Sequence, residues 1–586
     1  MRHLRPFLFP LLFFSAHAAF SQSREAIAID SLIDLSIAKN CFNGEVLVSI
    51  GDVPLYERTV GFRDLHTKEL LQANSLFNIG SVSKPFTSVA VLQLQEKQLL
   101  SIEDRVTKYI PEFPYDSIRI KHLLSHTSGI TPNLDFLDST DTAKHLNNDS
   151  IPGLLKKYKI PLDFAPGAAW GYSNLGYDVL AVLVARVARM QFADYVQQNI
   201  LGPAGMGRTF IPSSSNIPAW LPKNLTEKDL VVPHMFASLS ACEVIRTDSV
   251  GPFPRSDHYY VGSSNVYSTA GNLVKFDRAL RNNVVLSRAS QELAYTPFVL
   301  TTGDTARDPQ SPIPSYYGLG WSISIDTTGG RIVWHKGRSF GSRAILLRNP
   351  GRQQCAVVLD NFDNNACDLK GIACLRIIND RTYRNPILNS LVQVLGCGIH
   401  ANGFDVSLIE FNRLKGTERQ NYYISVDELI ALSDELVSEG RTADALSVLK
   451  LGKELFPASS EVYAAEGAVM LQTKHVEEAS RSFAQAARLY GTTDEERETL
   501  LNYLGYRYIL ANNYSDAATV LRFNTELYPL SCNTYDSYAS ALELNDQLDL
   551  AILSQEKAVA LATAQKHELL PILIENLEKL KAKRGK

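Results

Sequence analysis

Short segments in which apolar and polar residues alternate lie near both ends of the region before about residue 385. Residues 45–50 and 55–60 alternate on either side of Gly51 and Asp52, which predicts a β-hairpin. Turn residues separate four later runs of the same kind, at 319–325, 331–335, 343–347 and 354–359. We therefore predict one antiparallel sheet that is made from both ends of this region.

Apolar residues at helical spacing lie between those strands, over residues 86–100 and 177–188. Helices with one apolar side can cover a sheet. The first region is therefore predicted to be an α+β domain, in which helices flank an antiparallel sheet.

The strand patterns end before a break between about residues 385 and 425, and a repeat begins after it. Four segments align by an alanine that recurs about every 34 residues: Ala445, Ala479, Ala517 and Ala551. Pro457 and Pro529 follow two of these alanines at the same spacing. The pattern resembles the tetratricopeptide repeat, in which a small residue stands where two helices touch and a proline ends the second helix. An irregular helical bundle is the alternative.

The first residues have the order of a secretory signal peptide. Arg2 and Arg5 precede an apolar run that ends at Phe14, and small residues follow. We predict that residues 1–22 are removed and that the protein is exported, to the periplasm or outside the cell. A buried N-terminal helix is the alternative.

The chain then divides at the change of pattern. We predict a first domain over residues 23–385, a linker over 386–424 and an all-α repeat domain over 425–586.

The composition excludes several classes of protein. Of the 586 residues, 45% are hydrophobic and 20% are charged, as in globular proteins. The formal net charge is -4, so we do not expect a nucleic-acid partner. Apolar runs after the N-terminus are too short to span a membrane. The seven cysteines match no metal or redox spacing and are read mostly as small buried residues.

Ser81 and Lys84 form an S-x-x-K pattern where a helical pattern begins. Inside a helix, Pro85 would clash with the carbonyl of Ser81, so the helix begins near Ser81. The helix dipole there favours developing negative charge, and Lys84 lies on the same face. Because an amine of lowered pKa can take the serine proton, the pair is a candidate for nucleophilic catalysis. By itself the pattern is also common in structural helices.

Tyr172 and Asn174 stand two residues apart and share one side of an extended loop. Near Lys84, the Tyr172 phenol would be shifted toward phenolate and become a candidate general base. A tyrosine at such a position is otherwise a half-buried packing residue.

His335 and Gly337 share one face of a predicted strand, and Lys336 points to the other face. Glycine there would let a substrate carbonyl approach the backbone. A lone strand histidine is more often a satisfied polar residue than a catalytic one.

Together, the three motifs resemble those of the serine β-lactamase and penicillin-binding-protein family. They are similar above all to its class C-like branch of esterases, D-aminopeptidases and D-alanyl-D-alanine carboxypeptidases. The resemblance extends over about residues 30–380 and includes four further segments, 122–129, 205–207, 268–271 and 317–321. It implies the α+β β-lactamase/DD-peptidase-like fold with a helical subdomain.

The resemblance also implies roles for particular residues. Ser81 would be the acylated nucleophile, Lys84 its proton partner and Tyr172 the base for acylation and deacylation. Asn174 would contact a substrate amide, and the backbone N–H groups of Ser81 and Arg338 would form the oxyanion hole.

One motif departs from the family. Where β-lactams are handled, the third motif is commonly Lys-Thr-Gly, whereas here it is His335-Lys336-Gly337. This disfavours a β-lactamase and still suits an esterase or peptidase, with Gly337 at the substrate strand. His335 is then expected to sustain the positive field that the family's lysine provides.

We expect no metal site and no cofactor. His122 and His126 are spaced like a zinc pair, but no glutamate follows the first histidine as in H-E-x-x-H. The expected partners are a small-molecule or peptide substrate and a protein that contacts the repeats.

These patterns predict an exported serine hydrolase that cleaves an ester or amide through a Ser81 acyl-enzyme. A β-lactamase or D-alanyl-D-alanine carboxypeptidase is the alternative enzyme. An inactive binding or scaffold protein is the alternative from another class.

Overall fold

The computed structural model forms two compact units, Met1–Met235 with Ile245–Ile387 and Phe236–Val244 with Leu388–Lys586. It describes residues 23–134, 146–212, 221–241, 243–247, 260–309, 311–326, 330–363, 367–383, 389–490, 494–510 and 513–584. The predicted signal peptide therefore lies outside the described residues. Because the second unit contains a short internal segment, the chain passes between the units three times.

A seven-stranded antiparallel sheet forms the centre of the first unit. Its strands are β1 (Gly44–Ile50), β2 (Val53–Val60), β3 (Tyr316–Tyr317), β4 (Ser322–Asp326), β5 (Gly330–Ser339), β6 (Ser342–Asn349) and β7 (Gln354–Asp360). The strand order is β2-β1-β7-β6-β5-β4-β3. Gly44 of β1 lies opposite Asp360 of β7, which confirms the prediction of one sheet made from both ends of the region.

Helices cover both faces of this sheet. They are α1 (Arg24–Ala38), α2 (Lys84–Glu96), α3 (Ile120–Leu124), α4 (Ile151–Tyr158), α5 (Asn174–Ala188), α6 (Phe192–Val196), α7 (Ala270–Arg281), α8 (Arg288–Ala294) and α9 (Cys367–Ile377). Side chains of a strand alternate between its faces. Leu346 packs in the core that contains α2 and α5, and Ile345 and Leu347 pack in the core with α1 and α9.

Short strand pairs lie outside the main sheet. Phe62–Asp64 pairs with Glu69–Leu70, and Phe77–Asn78 pairs with Tyr267–Ser268. The chain leaves the first unit along the strand His234–Phe236 and returns along Val244–Arg246.

The second unit is largely helical. Its helices are α10 (Leu391–Asn402), α11 (Phe404–Thr417), α12 (Val426–Ser438), α13 (Thr442–Leu455), α14 (Ser460–Gln472), α15 (Val476–Tyr490), α16 (Asp494–Leu510), α17 (Tyr514–Leu527), α18 (Cys532–Leu544), α19 (Leu548–Gln565) and α20 (Leu570–Arg584). A short parallel pair, Asn389–Ser390 with Tyr422–Tyr423, accompanies them. No helix in the described ranges combines the length and the apolar character that a membrane span requires.

The four repeated alanines lie in α13, α15, α17 and α19, and all four are buried. Helices α13 and α17 end at Leu455 and Leu527, two residues before Pro457 and Pro529. Small residues therefore stand inside the helical packing, and prolines follow helix ends. The assignment to tetratricopeptide repeats stays a prediction.

The region 386–424, which the sequence predicts to be a linker, instead contains α10 and α11. Leu395 of α10 and Phe411 of α11 are fully buried in one core with Leu432 of α12. Their apolar residues recur at helical spacing and need a partner surface.

The internal segment of the second unit is held by polar groups of two helices. Gln393 Nε2 of α10 donates to the carbonyls of Ser238, Leu239 and Ala241, each at 3.1 Å. The Glu435 carboxylate of α12 accepts the backbone N–H groups of Leu239 at 3.0 Å and Ser240 at 2.9 Å. This loop, named here the 238–241 loop, therefore belongs structurally to the helical unit.

Candidate active site

Ser81 lies in a 3-10 turn, Gly80–Ser83, that leads directly into α2. Pro85 stands in the first turn of α2, where the missing N–H of proline costs no helical hydrogen bond. The serine is thus placed at the start of a helix, as its spacing from Pro85 predicts.

Two glycines bring this turn against strand β5. Gly80 has a φ of +51°, and a Cβ there would lie 2.6 Å from the carbonyl oxygen of Arg338. A Cβ on Gly337 would lie 2.0 Å from the carbonyl oxygen of Ile79. Any side chain at either position would push the nucleophile turn off the strand. Strand β4 pairs with β5 only as far as Trp334, so the turn packs beyond that pairing.

The same contact brings together the two backbone nitrogens predicted to form the oxyanion hole. The Cβ position of Gly337 lies 3.1 Å from Ser81 N, and that of Gly80 lies 2.8 Å from Arg338 N. The Arg338 side chain is exposed, and its guanidinium pairs with Asp363 at 3.2 Å.

Lys84 is fully buried and points its amine at Ser81. Its Nζ lies 3.0 Å from Ser81 Oγ, 2.8 Å from Asn174 Oδ1 and 3.0 Å from the carbonyl oxygen of Ser263. Burial lowers the pKa of Lys84, and the nearby Asp178 carboxylate opposes that shift. The amine is therefore easier to deprotonate than a lysine in water.

Tyr172 approaches Ser81 from the other side. Its hydroxyl donates to Ser81 Oγ at 2.8 Å, and Lys84 Nζ lies 4.7 Å from the centre of its ring. The serine hydroxyl is thus flanked by a phenol and an amine, and the structure brings these three predicted residues together.

The expected shift of Tyr172 toward phenolate is wrong for this resting arrangement. Burial raises the pKa of Tyr172, and the hydrogen bond with Ser81 opposes the rise only in part. Asp308 and Asp178 add to the rise. Tyr172 is therefore a neutral hydrogen-bond donor before reaction.

Asn174 is the first residue of α5, and Ser173 caps that helix through its side chain. The Oδ1 atom of Asn174 accepts a hydrogen bond from Lys84, and its Nδ2 atom donates to Asn133 Oδ1 at 3.1 Å. In this structure Asn174 holds the amine of Lys84.

His335 is buried on β5, but it cannot supply the expected positive charge. Burial is the main cause that lowers the pKa of His335 to about 3, and the positive charge of Lys84 adds to this effect. Its Nδ1 donates to the Lys336 carbonyl at 2.7 Å, so its Nε2 accepts from the Tyr317 hydroxyl at 3.0 Å. The expectation of a cationic His335 is therefore wrong, because burial favours the neutral imidazole.

As predicted, the Lys336 side chain points away from the face of β5 that His335 and Gly337 share. Its side chain is 36% exposed and lies 4.0 Å from Asp308 Oδ2.

His126 fixes Tyr172 from behind. Its Nδ1 accepts the backbone N–H of Ser173 at 3.1 Å, and its carbonyl accepts that of Gly171 at 2.9 Å. The centres of the His126 and Tyr172 rings are 4.3 Å apart. Both neighbours of Tyr172 are thus hydrogen-bonded to one residue, which positions the tyrosine.

His122 is occupied in a similar way, since its Nδ1 accepts the backbone N–H of Arg119 at 3.2 Å. Within the described residues, no three or more His, Cys, Asp or Glu side chains are grouped so that they could hold a metal ion.

Comparison with known proteins places this geometry in a family. The family model described as Beta-lactamase matches residues 32–371, which include the nucleophile turn, Tyr172 and strand β5. The chain belongs to the β-lactamase family. The family's α+β fold is therefore confirmed for the first unit, and the helices from α10 onward lie outside the match.

Relatives in this family include penicillin-binding proteins. Penicillin-binding protein 4* of Bacillus subtilis (strain 168) is 30% identical over 345 residues, which cover 58% of this chain and 72% of that protein. Two solved structures share the fold with a TM-score of 0.50. D-amino acid amidase from Ochrobactrum anthropi SV3 is 18% identical and covers 61% of this chain and 99% of its own. The octameric penicillin-binding protein homologue from Pyrococcus abyssi is 20% identical, and the match covers 61% of this chain and 77% of that homologue.

Two residues at this β-lactamase-family site lie outside the three catalytic motifs. Tyr317 donates to His335 but belongs to a segment quoted above only for family resemblance. Asp178 is the first charged residue of α5 and stands one turn after Asn174, on the same side. It is the one carboxylate in a helix whose middle is otherwise apolar, and this is the signal that could have drawn attention to it.

Proposed function

We propose that this protein is an exported serine hydrolase that cleaves an ester or amide bond through an acyl-enzyme on Ser81. The observation that carries the proposal is the placement of Ser81 Oγ, 3.0 Å from a buried amine and 2.8 Å from a buried phenol. A serine hydroxyl needs such neighbours to lose its proton as it attacks.

Lys84 is the group that takes the serine proton. A neutral amine has two donors and one lone pair. The carbonyl oxygens of Asn174 and Ser263 can only accept, so they use the two donors and leave the lone pair for Ser81. Because burial lowers the pKa of Lys84, the neutral amine forms at lower pH than in water.

Tyr172 supplies the proton that the leaving group takes. As Ser81 Oγ bonds to the substrate carbonyl carbon, its proton passes to Lys84, and the departing oxygen or nitrogen takes the Tyr172 proton. In hydrolysis, water attacks the acyl carbon and returns a proton to Tyr172, and Ser81 recovers its own from Lys84. Each group begins and ends in its resting state, and Tyr172 is a base only after acylation.

The charge on the substrate oxygen would be held by the backbone N–H groups of Ser81 and Arg338. Donors aimed at a developing oxyanion are usually the largest single contribution to such catalysis. The glycines at 80 and 337 permit their close approach.

Labelling of Ser81 tests the proposal. After incubation with a fluorophosphonate, intact-mass analysis should show one adduct on the wild type and none on Ser81→Ala. Ser83→Ala is the matched control, since Ser83 lies in the same turn and its hydroxyl donates to the Gly80 carbonyl. Ser83→Ala should keep the label. An unlabelled wild type with intact fold would favour the inactive scaffold.

A β-lactamase or D-alanyl-D-alanine carboxypeptidase is the second candidate. It is favoured by the 30% identity with a protein named a penicillin-binding protein. Against it, His335 replaces the family's lysine and is neutral. Labelled penicillin discriminates these enzymes: a stable adduct indicates a binding protein, turnover indicates a β-lactamase, and no reaction supports an esterase or amidase.

Export and protein contact complete the proposal. Cys397 is disulfide-bonded, as is usual for proteins of oxidising compartments. Five other cysteines of the described residues, at positions 41, 355, 367, 374 and 532, are buried and are not disulfide-bonded. Alkylation of the denatured, unreduced protein should therefore modify those five and leave Cys397 unmodified. The helical unit is proposed to contact a protein partner, because stacked helical repeats of the kind that the sequence predicts commonly offer an extended binding surface.

A further inference from the structure

Asp178 is a buried carboxylate that none of the catalytic motifs includes. It is 4% exposed and lies one helical turn after Asn174. Its Oδ1 accepts the backbone N–H of Ser263 at 3.2 Å, and the carbonyl of Ser263 accepts from Lys84 at 3.0 Å. Ser263 therefore stands between the acid and the amine and is hydrogen-bonded to both.

The other titratable groups that face Lys84 carry no charge near neutral pH. Tyr172 and Tyr177 place their rings 4.7 Å and 5.5 Å from Lys84 Nζ, and burial raises the pKa of both. Burial lowers the pKa of two histidines, His126 behind Tyr172 and His335 on β5. The positive charge of Lys84 lowers both pKa values further.

Burial raises the pKa of Asp178 itself to about 7, and the hydrogen bonds from Ser263 and the Lys84 charge oppose the rise. The Asp178 charge acts on Lys84, and it also adds to the raised pKa values of the Tyr172 and Tyr260 phenols. Of the acids in the described residues, Asp178 is the one whose charge acts on Lys84. A buried charge acts more strongly on its neighbours than an exposed one, because little water screens it.

We propose that Asp178 is a positioning residue that keeps Lys84 basic enough to take the Ser81 proton and holds the Ser263 carbonyl that orients the amine. This inference rests on the proposed function, in which Lys84 receives that proton.

The sign of the effect follows from the charges. A carboxylate beside an amine favours the protonated ammonium, so Asp178 counteracts the effect of burial on Lys84. Without it, Lys84 loses its proton at lower pH and becomes a weaker base. The acid limb of the pH–rate profile should move to lower pH, and the rate on the plateau should fall.

The test is the pH dependence of Ser81 labelling by a fluorophosphonate, followed from about pH 5 to about pH 10. Asp178→Asn and Asp178→Ala both remove the charge, and alanine suits a helix interior. We expect both to shift the acid limb down by about one pH unit or more. Asp178→Glu keeps the charge and should restore the limb toward its wild-type position.

Asp64→Asn is the matched control. Asp64 is also buried, at 1% exposure, and accepts the backbone N–H of His66 at 2.8 Å, but it pairs with Arg246 rather than with Lys84. Asp64→Asn should leave the acid limb unchanged even if it lowers the melting temperature.

An acid limb that coincides with the wild type in a folded charge-removing variant would overturn the inference. NMR titration of the Lys84 side chain gives the same comparison without catalysis. If Ser81 is not labelled in the wild type, the proposed function fails, and the NMR titration still decides whether Asp178 controls the proton on Lys84.

Discussion

In the first unit, Lys84 contacts the Ser81 hydroxyl and is linked through Ser263 to Asp178. In the helical unit, Gln393 and Glu435 bind the backbone of the 238–241 loop. In the first arrangement, burial changes how tightly a group holds its proton. In the second, side chains satisfy N–H and C=O groups that would otherwise be left without partners. The comparison teaches that a buried polar side chain can change the proton affinity of a neighbour or satisfy backbone groups, depending on what it faces.

The two units also differ in how their contacts relate to the sequence. Ser81, Tyr172 and His335 come from three distant parts of the chain. In the helical unit, each helix from α14 to α20 packs mainly against its neighbour in sequence. A site assembled from distant parts depends on the whole sheet, whereas a helical array depends on local pairs.

The largest expected difference between the units comes from removing a buried or half-buried lysine from each. Lys84→Ala should lower turnover of a small ester by about 10² to 10⁴, the range of acid–base catalysis. Lys453→Ala in α13 removes a lysine that pairs with Glu466 and should leave turnover unchanged. Steady-state kinetics with active-site titration measures both. Equal losses would mean that Lys84 acts through stability.

Tyr172→Phe should lower turnover by about 10², because it removes the proton donor at Ser81 and keeps the ring. Its melting temperature should stay close to that of the wild type, since the ring still packs against His126. Tyr177→Phe is the matched control, because the Tyr177 hydroxyl donates to the Leu124 carbonyl instead. If the two variants have the same turnover, the role of Tyr172 is wrong.

Truncation tests how far the units can be separated. A protein that ends near residue 420 keeps α10 and α11 but loses α12, so it exposes Leu395 and Phe411 of their shared core. We expect it to aggregate, as monitored by size-exclusion chromatography. A protein that ends at residue 387, with residues 236–244 replaced by a glycine–serine linker, should stay soluble and hydrolyse a small ester. The reverse result would place the boundary after α11.

The smallest expected effect is that of Glu435→Ala. It leaves the N–H groups of Leu239 and Ser240 without their acceptor, which costs about 1–3 kcal/mol if they stay buried. Thermal unfolding should show the loss, and the rate per labelled Ser81 should not change. A lower rate per active site would show that the 238–241 loop also affects catalysis.

Much of the fold can be predicted from local patterns of apolar and polar residues. Alternation predicts the strands around residues 50 and 345, and the helical spacing of 177–188 predicts most of α5. The S-x-x-K pattern with Pro85 predicts the start of α2. Such patterns are local consequences of which side of an element is buried, so they need no knowledge of its partner.

The linker prediction over 386–424 is wrong because helices α10 and α11 become stable only against α12. The assignment of residues 236–244 to the helical unit has the same origin. It depends on Gln393 and Glu435, which lie far away in sequence. Local composition could not reveal those partners.

The sequence by itself determined which residues could do the chemistry: a serine and a lysine one turn apart, a tyrosine, and a glycine on a strand. Tertiary structure decided their charge states. His335 and Tyr172 are neutral because folding removes them from water, and Lys84 is influenced by Asp178 because the turn at Ser263 lies between them. Charge state depends on desolvation and on neighbours in space, neither of which is written in residue order.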